Sequence, residues 1–101
     1  MEKHEKNLKA LANCQRLQIL RLLKDPAKNF RPQVDGDLVK DGVCAALIEE
    51  KLGLAQPTTA QHLKTLVEAE FLIPKRIKKW AFYKRDEKAI RRFLKALKSD
   101  V

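Results

Sequence analysis

Apolar side chains recur along this chain at two spacings, and the change from one to the other divides it into elements. Leu8, Leu11 and Ala12 share one side of a helix predicted over Lys3 to Asn13. Cys14 to Lys24 carries Leu17, Leu20 and Leu23 with Ile19 and Leu22 between them, apolar around most of its circumference, which marks a core helix. Asp25-Pro26 stops it. Ala27 to Gly42 has no helical period, contains Pro32, Gly36 and Gly42, and reads as an extended loop. The helical period returns over Val43 to Leu52, with Val43, Ala46, Leu47 and then Leu54 facing a core and Glu49, Glu50 and Lys51 outside. Gly53 suits a left-handed residue closing that helix, and Pro57 suits the first position of the next, where Thr59, Leu63, Leu66 and Val67 line one stripe. From Phe71 to Arg85 the period shortens. Leu72, Ile73 and Ile77, then Trp80, Phe82 and Tyr83, are residues that strands favour, and Lys75, Arg76, Lys78 and Lys79 stand among them. These are two strands with a cationic tip, and Trp80 and Phe82 read as packing residues. Asp86 and Glu87 open a last helix whose Ile90, Phe93, Leu94 and Leu97 repeat at i, i+3, i+4 and i+7. The fold class is mainly α with a small β-hairpin, in the order α-α-α-α-β-β-α.

The side of residues 57–68 opposite the stripe presents Thr58, Gln61, Lys64, Thr65 and Glu68. Small hydroxyls, an amide and one cation make a poor salt-bridged surface but suit contact with bases and phosphates, since glutamine pairs bidentately with adenine. Net charge is +9, and it is unevenly placed: residues 72–98 hold eleven lysines and arginines against Asp86 and Glu87, whereas residues 1–71 hold eleven against ten acids. That asymmetry fits a polyanionic partner, with a solubilising face as the plainer alternative. A chain of 101 residues that is 45% hydrophobic makes one domain over residues 1–101. No run approaches the ~20 apolar residues of a membrane span, and MEKHEKNLKAL has no apolar signal core, so a cytoplasmic protein is expected. In that reducing compartment Cys14 and Cys44 read as buried thiols. His4 reads as a solvated terminal residue, and His62 as flanking the core or a phosphate.

Three segments in order, LANCQRLQILRLL from Leu11, EKLGLAQPTTAQHLKTLVEAEFL from Glu50 and KRIKKWAFYKRD from Lys75, resemble the ArsR/SmtB family of winged helix-turn-helix repressors, and the likeness covers nearly the whole chain. The resemblance implies a homodimeric, sequence-specific repressor on an inverted-repeat DNA operator, with residues 1–24 and 86–101 as dimerisation helices. It implies DNA contacts from Gln56, Pro57, Thr58, Gln61, His62, Lys64 and Thr65 on a reading helix, and from Arg76, Lys78 and Lys79 on the wing. Relatives usually place glycine at the wing turn, where this chain has Lys78, and a shorter connector where it has 27–42. Metal-sensing members carry Cys-x-Cys and then Asp on the supporting helix; Cys44-Ala45-Ala46-Leu47 supplies one thiolate. Their last helix carries Asp, His and Glu ligands; here only Glu87 and Asp100 are near. No metal site or cofactor is expected, and no nucleophile–base pair or phosphate-binding glycine loop marks an enzyme. Cys14 and Cys44 remain as a candidate thiol sensor. Asp35, Asp37 and Asp41 lack calcium-loop spacing, and their loop is left to ligand gating or an extra DNA contact. The alternative is a winged-helix module that binds protein or RNA in a larger assembly.

Overall fold

The computed structural model describes residues 2–101. Its first two helices are α1 (Glu2–Leu11) and α2 (Cys14–Lys24), separated by a break that the apolar pattern does not reveal. The predicted Lys3 to Asn13 helix ends early because Asn13 is the cap of α2: its side-chain oxygen accepts from the amides of Gln15 at 2.9 Å and Arg16 at 3.1 Å. Pro26, which ends α2, also starts a four-residue helix, α3 (Pro26–Asn29), since its fixed φ and missing N–H cost nothing at a first helical position. The expected loop of 27–42 is therefore helical at its start and irregular over 31–42.

Val43 and Cys44 form a two-residue strand, β1 (Val43–Cys44), and not the opening of the next helix, α4 (Ala45–Leu52). Val43 and Leu47 are buried as expected, but Ala46 is exposed, and Ile48 takes the fully buried position instead. Gly53 closes α4 in the left-handed region, φ 69° and ψ 28°, with its N–H donating to Glu49 O at 2.9 Å. The helix that follows is α5 (Gln56–Glu68), in which Pro57 is the second residue. Thr59, Leu63 and Leu66 are buried, and the Thr59 hydroxyl donates back to Ala55 O at 3.1 Å, so its polarity costs nothing inside.

α5 ends in a Schellman arrangement, with Phe71 N–H donating to Leu66 O and Glu70 N–H to Val67 O. The left-handed residue there is Glu70, φ 65°, where glycine is the usual occupant. Glu70→Gly is accordingly expected to stabilise the fold by about 1 kcal/mol, seen as a melting temperature roughly 4–8 °C higher. An unchanged or lower melting temperature would show that glycine's extra freedom in the unfolded chain outweighs the relief.

The chain then pairs β2 (Leu72–Ile77) with β3 (Trp80–Arg85), and β3 also pairs with β1, giving a three-stranded antiparallel sheet of order β1-β3-β2. Ile77 faces Trp80 across a two-residue turn, so the wing is tight although it lacks the glycine; Lys78 takes φ 56° in its place. Phe82 is buried, whereas Trp80 is 44% exposed and is not the packing residue the pattern suggested.

The last helix, α6 (Glu87–Asp100), is capped by Asp86, whose Oδ1 accepts from Ala89 N–H at 3.0 Å. Its stripe divides: Ile90 and Phe93 are buried, with the Phe93 ring edge-on to Phe71 at 5.5 Å, while Leu94 is 53% exposed. His4 is buried, contrary to the solvated role expected of it. Its Nε2 lies 2.6 Å from Asp100 Oδ2 and its ring stands edge-on to Phe93 at 5.9 Å, which fastens α1 to α6.

Candidate nucleic-acid interface

α5 separates its two sides cleanly. Thr59, Leu63 and Leu66 point into the core, while Gln56, Pro57, Thr58, Gln61, Lys64 and Glu68 are exposed; Thr65, placed with them by periodicity, is half-buried and donates its hydroxyl to Gln61 O at 3.0 Å. No side chain caps the helix start at Ala55, so the amides of its first turn have no partner within the helix.

His62 is held from behind by Arg16, a connection no sequence pattern announced. The Arg16 guanidinium reaches Ala10 O at 2.6 Å, Lys9 O at 3.1 Å and His62 Nδ1 at 3.2 Å, and so joins the end of α1, the start of α2 and α5. Two of those partners are terminal carbonyls of α1, which a helix leaves without internal donors. Because guanidinium only donates, Nδ1 supplies a lone pair and the ring proton resides on Nε2. Burial, and secondarily the Arg16 charge, hold the His62 pKa below its ordinary value, which favours that neutral form. His62 thus carries its ring proton on Nε2, half-way along α5 at the edge between its buried and polar sides.

The wing cations are less free than their number suggests. Lys78 Nζ lies 3.1 Å from Asp35 Oδ1, Lys75 is ion-paired with Asp41, and Lys84 Nζ donates to Lys40 O at 3.1 Å. Arg76 donates to Lys79 O at 3.4 Å, and the Lys79 ammonium stands 5.4 Å from the centre of the Trp80 ring. Arg85 forks onto both carboxylate oxygens of Glu87, at 2.8 and 3.2 Å, and donates to Leu20 O, so it belongs to the scaffold.

The aspartates of segment 31–42 therefore face lysines and backbone amides. Asp37 Oδ1 accepts from Val39 and Lys40 N–H, and Asp41 Oδ2 accepts from Asp37 N–H at 2.7 Å. The amides of Lys40 and Val39 hold the Asp37 carboxyl below the ordinary range, and Lys75, followed by the Asp37 amide, does the same for Asp41. Gln33 ties the base of the segment to the sheet, donating to Gly42 O at 2.8 Å and accepting from Cys44 N–H at 3.1 Å. The signal for this was present in the sequence as an acidic run at 35–41 and a basic run at 75–84, complementary in sign and similar in length.

Both cysteines are free thiols. Cys14 is exposed at the first turn of α2, against the expectation of burial, because it lies on the side of that helix opposite buried Ile19, Leu20 and Leu23; Cys44 is half-buried in β1.

No protein-family model matches the chain. It is 42% identical over 93 residues to YbzH of Bacillus subtilis, an uncharacterised HTH-type transcriptional regulator, covering 92% of this chain and 93% of that one. Among solved structures it is similar to HlyU from Vibrio cholerae, at 27% identity and a TM-score of 0.64 over 95% of this chain and 91% of HlyU. It is also similar to the homodimeric winged helix-turn-helix DNA-binding domain of Mb0332 from Mycobacterium bovis, at 26% identity and a TM-score of 0.66 over 98% of this chain and 80% of that domain. With a polar-faced α5 propped by α4 and a tight cationic hairpin beside it, the chain belongs to the ArsR-type winged helix-turn-helix transcriptional regulators.

Proposed function

We propose that this regulator represses transcription as a homodimer, each copy setting α5 into the major groove of one half of an inverted-repeat operator. The observation that carries the reading is the division of α5, with Gln56, Pro57, Thr58, Gln61 and Lys64 exposed over a back formed by buried Thr59, Leu63 and Leu66. Gln61 is long enough and rightly equipped to read an adenine edge, while Thr58, Thr65 and Lys64 suit phosphates or neighbouring bases. The unpartnered first-turn amides at Gln56 and Thr58 suit a phosphate, and the His62 Nε2–H adds a donor. Arg76, Lys78 and Lys79 would follow the sugar–phosphate backbone beside the groove. Half-exposed Leu94 on an otherwise cationic α6 supports pairing through residues 1–24 and 86–101, which would hold two reading helices about one DNA turn, roughly 34 Å, apart. No helix among the described residues is long and apolar enough to cross a membrane, and we assign the protein to the cytoplasm, where its operator lies.

Selection of bound duplexes from a random pool should enrich an inverted repeat. On that repeat Gln61→Ala is expected to flatten preference at one base pair per half-site, a loss of about 1–3 kcal/mol of discrimination. Lys79→Ala should instead weaken every duplex and lower the salt slope by about one. Equal losses for Gln61→Ala on selected and random DNA would remove Gln61 from the reading role. A chain that prefers RNA, or binds duplex no better than random competitor, would be a protein- or RNA-binding module.

A further inference from the structure

Segment 31–42 does not lie flat on the sheet. Between it, the first turn of α4 and the outer end of β3 is a cleft of about 360 Å³, inside the range of roughly 300–1,000 Å³ usual for small-molecule sites. Its apolar walls are Val34, Cys44, Ala46, Leu47, Trp80 and Phe82. Trp80 and Val34 are among the large apolar side chains the fold leaves exposed, and both border this cleft. That accounts for an indole that sits in a strand yet covers no core.

The polar groups around the cleft are already engaged. Gln33 spends its amide nitrogen on Gly42 O and Gly36 O and its oxygen on Cys44 N–H; Asp35 faces Lys78, and Arg31 pairs with Glu50 at 3.3 Å. An occupant would therefore be held by ring stacking and dispersion, and a charged one would lose hydration without gaining a partner. A cavity of about 150 Å³ accepts benzene, so this one has room for a second fused ring. We propose that the cleft between segment 31–42 and the wing is a binding site for a small, planar, uncharged aromatic molecule, stacked against the exposed indole of Trp80. Such a molecule would lie beside the two contacts that position the wing tip, Asp35 on Lys78 and Trp80 under Lys79.

The site can be tested without DNA, on the free protein, by titrating quinoxaline, an uncharged two-ring aromatic, and following amide and indole N–H resonances. Trp80 is the only tryptophan, so its indole signal is unambiguous. Saturable shifts are expected at the Trp80 indole, the Gln33 side-chain amide and the Ala46 amide. Ala46→Phe, which fills the cleft from an exposed helical position, should weaken binding at least tenfold; Trp80→Leu, which removes the stacking surface, should weaken it at least threefold. If Ala46→Phe loses the dispersion of a folded spectrum, Trp80→Leu decides. Shifts that climb linearly without saturating, or a titration curve that neither substitution moves, would overturn the proposal.

Discussion

Replacing Gly42 with alanine is expected to cost about 3 kcal/mol or more of stability, a fall in melting temperature of roughly 12–24 °C in a domain of this size. Gly42 is buried at φ 110°, and a Cβ there would stand 2.6 Å from both the carbonyl carbon and the oxygen of Tyr83 in β3. Those are backbone atoms of the central strand and cannot step aside as a flexible side chain would. The penalty has two parts: a backbone conformation that side chains rarely adopt, about 1–3 kcal/mol, and an overpacked contact of similar size. Gly53 provides the comparison. It too is left-handed, at φ 69°, but nothing lies within 4 Å of the position its Cβ would take, so Gly53→Ala should cost only about 1 kcal/mol. Thermal melts of the two variants side by side check the argument; equal losses would mean that the approach to Tyr83 is not what demands glycine at 42.

The contrast between these two glycines also shows what could be read from the sequence. Gly53 announces itself, because the apolar period of α4 stops beside it and a proline follows at a helix start. The stripe of Thr59, Leu63 and Leu66 is equally plain, since thirteen residues of α5 repeat one period with the whole core on one side. Gly42 looks like one more loop glycine until β1 is known. Two residues are too few to carry an alternation, and Val43 and Cys44 sit against a helical run that absorbs them, so the third strand was invisible and the glycine's neighbour in β3 with it. Glu70 and Lys78 fail in the opposite sense. Both occupy positions where glycine is the informative residue, so the local signal is silent although the turns are regular.

At the candidate interface, side chains that act alone were legible and those that act through a partner were not. The exposure of Gln61 and Lys64 follows from their angle on α5. The burial of His4 follows from Asp100, ninety-six positions later, and the fixed tautomer of His62 from Arg16, forty-six positions earlier. No periodicity links such pairs; only the closed fold does. The same limit applies to net charge: a run of eleven cations over residues 72–98 reads as free positive surface, yet Lys75, Lys78 and Arg85 each face a carboxylate.

If those lysines meet phosphates in the bound state, their aspartates compete with DNA for them, and removing the competitors should tighten binding. The double variant Asp35→Asn with Asp41→Asn is expected to bind duplex roughly 10- to 30-fold more tightly near 0.15 M salt, with a salt slope steeper by up to about two, since each added phosphate contact contributes about 0.9. Stability should fall only modestly, because both lysines are largely exposed although the Asp41 carboxylate is itself mostly covered. Part of the gain would come simply from raising net charge from +9 to +11. A control with Glu5→Gln and Asp25→Asn, two exposed acids at α1 and after α2, makes the same change in charge away from the wing and isolates that part. A larger gain for the wing pair than for the control, on selected and random duplex alike, identifies Lys75 and Lys78 as phosphate contacts restrained by segment 31–42. Equal gains would place both lysines off the DNA and leave Arg76 and Lys79 to carry the wing's share. Because asparagine retains the side-chain oxygen that accepts the Asp37 amide, the segment should keep its shape, so the comparison reads charge and not a collapsed loop.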